Sequence, residues 1–245
     1  AKASGVGMLS IAVPESLKPL LVSHIPDGLI IDCPETKTGA IAALPTLATD
    51  FDTYDIIACG PGLTTESTEV ILKVLETKCP LILDADGLNI LAQLGTVSSL
   101  SQRSAATVLT PHLGEFKRLF PDIRDPQKDR LSAAKTAAAQ SGAIILLKGA
   151  KTIIANPQGK IWIIPESTPA LARGGSGDVL TGLIGGLLAQ NIIDKKPLDS
   201  MVATAAWWHS QAGIVAATER TELGVDAVTL SKYLHVSMFT RHILR

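Results

Sequence analysis

The stretch Arg173-Gly174-Gly175-Ser176-Gly177-Asp178-Val179-Leu180-Thr181-Gly182-Leu183 decides how the rest of this chain is read. Three glycines stand directly before an apolar run of helical character. Glycine lets the backbone turn its N–H groups toward one point, and a helix starting there adds its positive N-terminal end. The product is a cradle for phosphate oxygens, or for negative charge that develops during phosphoryl transfer. Asp178 falls in the first helical turn, where the dipole favours the anion, so at neutral pH it can take a proton from a hydroxyl. A flexible glycine-rich connection before an ordinary helix has the same local appearance, so the surroundings must decide. No GK[ST] follows, which excludes a Walker A loop.

Working outward, short apolar runs bounded by turn residues recur at 8–13, 28–32, 55–59, 80–84, 106–110 and 143–148. Unbroken runs of this length are how strands of a parallel sheet, buried on both faces, appear in sequence. Residues 151–155 and 160–164 flank Asn156-Pro157-Gln158-Gly159, which predicts a hairpin at a sheet edge. Helical patterns lie between the runs. Thr64 or Thr65 can cap a helix that puts Val70, Ile71, Val74 and Leu75 on one face. Leu113, Phe116, Leu119 and Phe120 share another face, and residues 131–140 are alanine-rich. After Gly177 the chain is mostly helical, with long segments at 179–190 and 198–217. This alternation predicts an α/β fold: a central, mostly parallel sheet with helices on both faces and ligands at the carboxyl ends of the strands. Nothing divides residues 1–245, so one domain is expected.

Composition narrows the function classes. Hydrophobic residues make up 46% and charged residues 18% of the 245, enough for a large core and too apolar for disorder. A formal net charge of -1 offers no field to hold a polyphosphate backbone, so no nucleic-acid partner is expected. Cys33, Cys59 and Cys79 are far apart and odd in number. They make neither a metal knuckle nor a disulfide framework, and predict buried thiols in a reducing, cytoplasmic setting. The longest apolar stretch, 179–189, is about half a bilayer span and is broken by Gly182, Gly185 and Gly186. The N-terminal residues lack the apolar centre of a secretory leader, so no membrane partner is expected.

The remaining unusual residues gather at strand-to-helix junctions. Cys59-Gly60-Pro61-Gly62-Leu63 allows a ligand to approach the backbone, although plain connections use such turns too. In Thr110-Pro111-His112-Leu113-Gly114-Glu115-Phe116, His112 can hydrogen-bond a ligand and Glu115 can orient metal-bound water; a structural histidine is the rival reading. Asp84-Ala85-Asp86-Gly87-Leu88-Asn89 brings carboxylates to a strand end, with Asp86 also suited to cap the next helix. Leu147-Lys148-Gly149-Ala150-Lys151-Thr152 delivers a lysine that can neutralise nucleotide phosphate, or that is simply a solvated surface group. Trp207 and Trp208, beside His209 in an alanine-rich helix, fit core or subunit contacts better than a stacking platform. Arg241, His242 and Arg245 fit a solvated basic terminus.

In this order, GPGL, DADGLN, TPHLGE, LLKGAKT and GGSGDVLTG resemble the NAD(P)H-hydrate dehydratase family of the ribokinase-like superfamily, over nearly the whole chain. The resemblance implies a lyase that dehydrates the (S) form of hydrated NADH or NADPH and consumes ADP or ATP, giving AMP or ADP and phosphate. It implies that Asp178 takes the hydroxyl proton and that Gly174, Gly175, Ser176 and Gly177 hold the transferring phosphoryl group. Gly62 and His112, with Asp178, would contact the hydrated dinucleotide. Lys148, Gly149, Ala150, Lys151, Thr152 and Gly177 would lie along the adenine nucleotide. Glu115, with Asp86 or Asn89, would support Mg²⁺. Family members usually begin with a further strand and a Gly- and Ala-rich helix, so the domain over 1–245 is expected to lack the first strand. A cytoplasmic homo-oligomer, a tetramer in bacterial relatives, is implied, as is functional pairing with an NAD(P)H-hydrate epimerase. Two other readings stay open: a ribokinase-like kinase for a vitamin alcohol of thiazole or pyrimidine type, and a non-catalytic nucleotide-binding fragment.

Overall fold

The computed structural model describes residues 1–194 and 196–243. Two parallel strands, β1 (Ser10–Pro14) and β2 (Leu29–Cys33), pair only with each other and are joined through helix α1 (Lys18–His24). After the short α2 (Thr46–Thr49) comes the main sheet. It contains β3 (Ile57–Cys59), β4 (Leu81–Leu83), β5 (Thr107–Leu109), β6 (Ile144–Leu147), β7 (Thr152–Ala155) and β8 (Ile161–Ile164), in sequential order. The first four are parallel; β7 and β8 are antiparallel. Connecting them are α3 (Thr68–Glu76), α4 (Asp86–Leu94), α5 (Thr96–Ser101), α6 (Leu113–Leu119) and α7 (Arg130–Ser141). Helices α8 (Ser176–Asp194), α9 (Leu198–Arg220) and α10 (Ala227–Ile243) follow.

Strand periodicity explains the layering. Successive side chains point to opposite faces, so Leu81, Leu83, Leu109, Ile145 and Leu147 pack against α3, α4, α6 and α7. Their neighbours Ile82, Val108, Ile144 and Leu146 pack against α8, α9 and α10. Leu81, Ile82 and Leu83 are all 0% exposed, so β4 is covered from both sides. Truncating any of these to alanine removes about 2–5 kcal/mol of stability.

The eight apolar runs are strands at the expected places, and the 156–159 turn closes the β7–β8 hairpin with Asn156 N–H bonded to Lys160 O at 3.0 Å. The expectation of one sheet is corrected, because β1 and β2 stand apart from the six-stranded sheet. Helix α3 starts at Thr68, so neither Thr64 nor Thr65 is its cap. Ser67 stands at its N-cap, and its hydroxyl donates to the carbonyls of Ile41 and Leu63 at 2.9 and 3.0 Å. Helix α8 begins at Ser176, earlier than expected, and Asp178 remains in its first turn.

The glycines that interrupt the apolar stretch of α8 serve close packing. A Cβ on Gly186 would fall 1.7 Å from Ser4 Oγ, and one on Gly185 would lie 3.7 Å from Ile82 Cδ1. The helix therefore rests almost directly on the N-terminal turn, while toward β4 a Cβ would make only ordinary van der Waals contact. Among the described residues, no helix is long and apolar enough to cross a membrane. The three cysteines are free; burial pushes the thiols of Cys59 and Cys79 up to about 12 and about 11, which makes them inert. The side chains of Arg241 and His242, and Arg245 as a whole, lie outside the described residues.

Candidate active site at the carboxyl ends of the sheet

The loops after β3, β4, β5 and β6 open at one end of the sheet, where α8 also begins. The first two loops are locked together by backbone. A Cβ on Gly60 would sit 1.8 Å from the carbonyl oxygen of Asp84, and one on Gly87 would sit 2.9 Å from that of Cys59. Asp84 N–H bonds Cys59 O at 3.2 Å. Between the two carboxylates of the second loop, Ala85 adopts φ 48° and ψ −120°, a conformation costing a non-glycine residue about 1–3 kcal/mol. Its carbonyl accepts the N–H groups of Leu88 and Asn89.

Asp84 is the hub that joins three elements. The residue is 1% exposed, and both carboxylate oxygens are filled. Lys148 Nζ, delivered by β6, donates to Oδ1 at 2.7 Å; Thr181 Oγ1, from the second turn of α8, donates to Oδ2 at 2.6 Å. A carboxylate taken out of water needs such partners, because an isolated buried charge costs several kcal/mol. Lys148 is thus no lone surface lysine. Its backbone is held as well: one guanidinium nitrogen of Arg130 donates to the carbonyls of Leu147 and Lys148, both at 3.1 Å. Glycine at 149 leaves room for this grip, since a Cβ there would come 2.4 Å from that guanidinium and push it aside.

Gly177 and Asp178 lie over this pair. A Cβ on Gly177 would be 3.5 Å from Lys148 Nζ and 3.7 Å from Asp84 Oδ2, so the missing side chain keeps the approach open. The Asp178 carboxyl is held above its ordinary range, first by partial burial and then by the negative charge of Asp84, with Lys148 pulling the other way. The preceding Gly175 has φ +83°, which lets the chain turn into the helix. Ser176 N–H bonds Arg173 O at 3.2 Å, and Val179 N–H bonds Gly175 O at 3.1 Å. The N–H groups of Gly177 and Asp178, as first-turn donors, have no backbone acceptor among the described residues. Two free donors beside a basic carboxylate and a half-buried ammonium can hold an anion next to a hydroxyl that loses its proton.

The flanking residues are differently employed. His112 caps α6: its Nδ1 accepts from Gly114 N–H at 2.9 Å and Glu115 N–H at 3.3 Å, and its side chain is 55% exposed. Glu115 returns the bond, accepting His112 N–H at 2.7 Å, and its other near neighbour is Lys148 Nζ at 3.9 Å. Asp86 does not cap α4; its carboxylate accepts Thr64 N–H at 3.1 Å and Asn89 Nδ2 at 3.3 Å, while Arg118 donates to Asn89 Oδ1 at 3.0 Å. Among the described residues, no group of three or more His, Cys, Asp or Glu side chains is arranged to hold a metal ion. The residues at which Mg²⁺ support was expected (Glu115, Asp86, Asn89) therefore form no cage of their own. Gly62, at φ +68°, has open space around it. Ala150 and Lys151 are exposed in the turn before β7, and Thr152 Oγ1 donates to Gly149 O at 3.1 Å.

Of the anticipated residues, Asp178, Gly177 and Lys148 come together around Asp84. His112 joins them only through Glu115. Sequence reasoning missed Thr181, Arg130 and His209. Thr181 stands three residues after Asp178, a spacing that shares one helix face and could have found it. His209 is buried against Ser176 from α9, and burial in its apolar helix drops its imidazole to about 4.

Over residues 1–235 the chain matches the family described as NAD(P)H-hydrate dehydratase. It is 58% identical over 234 residues to the bifunctional NAD(P)H-hydrate repair enzyme Nnr of Synechocystis sp. (strain ATCC 27184 / PCC 6803 / Kazusa), covering 96% of this chain and 44% of that protein. The chain spans less than half the length of this relative and of the Nnr enzymes of two further organisms that it matches. Its fold superposes on the ADP/ATP-dependent NAD(P)H-hydrate dehydratase from Bacillus subtilis co-crystallized with ATP/Mg²⁺, with a TM-score of 0.80 and 32% identity, covering 98% of this chain and 81% of that one. A ribokinase-like superfamily protein from Enterococcus faecalis V583 matches with a TM-score of 0.79 and 25% identity, covering 98% and 79%.

Proposed function

Because the chain belongs to the NAD(P)H-hydrate dehydratase family, we propose that it dehydrates (S)-hydrated NADH or NADPH at the expense of ADP or ATP. The observation that carries this reading is Asp178, in the first turn of α8, beside two unpaired N–H groups and the ion pair of Lys148 with the buried Asp84.

Hydroxide is a poor leaving group, so the ring hydroxyl is first phosphorylated. Asp178 accepts the hydroxyl proton as that oxygen bonds the terminal phosphorus of the nucleotide, and AMP or ADP departs. The N–H groups at Gly177 and Asp178 steady the phosphoryl oxygens in flight. The ring C–O bond then breaks, inorganic phosphate leaves with the bonding pair, and the ring nitrogen's lone pair supports the carbon it leaves. Loss of a proton from the adjacent carbon restores the dihydronicotinamide. The Lys148 to Thr152 segment is assigned to the adenine nucleotide, and Gly62 and His112 to the hydrated dinucleotide. Mg²⁺ would be held by the nucleotide phosphates and would neutralise their charge, while Glu115 holds Lys148 and His112. Pairing with an NAD(P)H-hydrate epimerase and a homo-oligomeric state belong to the same proposal. The bifunctional names of the relatives support the first.

The test is recovery of near-ultraviolet absorbance from hydrated NADH with Mg²⁺ and either ADP or ATP. Nucleotide-dependent recovery, with ¹⁸O from the ring hydroxyl found in the released phosphate, is the expected outcome. Phosphate retained on an organic product would replace the lyase by a kinase.

A further inference from the structure

The peptide unit between Ser176 and Gly177 carries two groups that point in opposite directions, because a trans peptide is planar. One is the Ser176 carbonyl; the other is the Gly177 N–H, one of the two donors left free in the first turn of α8. The carbonyl is not left to the helix alone. His209 of α9 brings Nε2 to 2.9 Å from Ser176 O and 3.2 Å from Ser176 Oγ. His209 is 7% and Ser176 5% exposed, so water does not compete for this contact.

We propose that His209 is a positioning residue for the anion cradle, its Nε2–H gripping the Ser176 carbonyl from behind and so aiming the Gly177 N–H at the transferring phosphoryl group. A carbonyl only accepts, so the contact fixes the ring as the tautomer protonated at Nε2. A hydrogen bond to the carbonyl also polarises the peptide, which strengthens the opposite N–H as a donor. The ring stays neutral throughout the physiological range, since burial in the apolar helix pair holds its pKa at about 4. The grip is therefore constant with pH, and the cradle gains no full charge that would bind product phosphate too tightly. The charge of Lys148 disfavours protonation of the ring, as burial does. The aim of the cradle thus depends on α9, a helix that contributes no group to the site itself.

This inference rests on the dehydratase reading for its catalytic consequence, but the grip is measurable without turnover. The comparison is His209→Leu, which deletes the donor, with His209→Gln, which keeps an N–H of similar reach. His209→Leu is expected to lower kcat about 10–100-fold, less than loss of a direct oxyanion donor, with nucleotide KM within about twofold. His209→Gln is expected to restore at least a tenth of the wild-type rate. Equal impairment of both variants, or a raised KM with kcat unchanged, overturns the proposal. A second readout is calorimetric binding of ADP with fluoroaluminate, a planar mimic of the phosphoryl group in transfer, against binding of ADP alone. Weakening of the first and not the second in His209→Leu supports the grip even where no dehydratase activity is found, and equal binding overturns it. Should His209→Leu not fold, ¹⁵N spectra of the wild type decide: Nε2 is expected to carry the proton from pH 5.5 to 8, and a ring protonated at Nδ1 overturns the assignment.

Discussion

The two sides of the site are built to different degrees. On the α8 side the groups that support the cradle have their partners already, and only the N–H donors of Gly177 and Asp178 stand free: Asp84 holds Lys148 and Thr181, Arg130 holds the Lys148 backbone, and His209 holds Ser176. On the side of Gly62 and His112, by contrast, Gly62 faces open space, and His112 is exposed and occupied only in capping its own helix. The difference teaches where preorganisation is needed. Charge that develops at a phosphoryl group must meet donors already in place, whereas a large dinucleotide brings contact surface of its own.

Five substitutions, in four tests, break or sharpen this contrast. The largest effect is expected from Asp178→Asn. Turnover should fall about 10³-fold or more, the scale of a lost general base, while calorimetry finds nucleotide affinity nearly unchanged. A rate near wild type would remove Asp178 from the chemistry. Next is Lys148→Met, which leaves the Asp84 carboxylate buried without its counter-charge, held only by the Thr181 hydroxyl. Urea unfolding should record a loss of about 3 kcal/mol, against about 1 kcal/mol for His112→Ala, where only a helix cap is lost. Equal costs would mean that the two sides are equally built.

The third concerns pH. Asp178 works as a carboxylate, and burial and Asp84 hold its carboxyl above the ordinary range. Activity should therefore fall, as pH falls, through a value above that of a free carboxylate. Asp84→Asn removes the like charge and leaves Lys148 to act alone; both changes lower the Asp178 value. The acidic limb of the kcat/KM profile should move to lower pH, and a move to higher pH would contradict the electrostatic account. The smallest effect belongs to Gly62→Ala. Space is open there, and only the positive φ opposes a side chain, so about 1 kcal/mol of stability is at stake. A much larger loss, seen as a collapse of the thermal transition, would show that the open side is more tightly built than its contacts indicate.

What the sequence made legible follows from the range of the forces involved. Residues 80–84 and 143–148 are apolar enough to mark buried strands unaided, and 156–159 announces its turn by Asn, Pro and Gly alone. The glycines before Asp178 likewise carry their meaning locally. Pairing does not: nothing in residues 8–13 or 28–32 tells that β1 and β2 form a sheet apart. The start of α3 was misjudged because the Thr64 N–H is taken by Asp86, 22 residues away, and Thr64 itself has φ +66°. Asp84 and Lys148 are 64 residues apart, so the lysine's partner was invisible. His209 was hidden by its own helix, whose alanines make any histidine look like core filling.

One feature of α8 reaches beyond the chemistry. At Gly186 the helix meets Ser4 and the Ala1 carbonyl of the N-terminal turn with no side chain of its own between them. A side chain there would be a spring; its absence makes the contact a hard stop. Helix α8 is thereby gauged against the N-terminal turn, backbone to backbone, with little to compress. Under hydrostatic pressure the volume change should be taken up on the Gly62 side, while the spacing of α8 from the N-terminal turn stays nearly fixed.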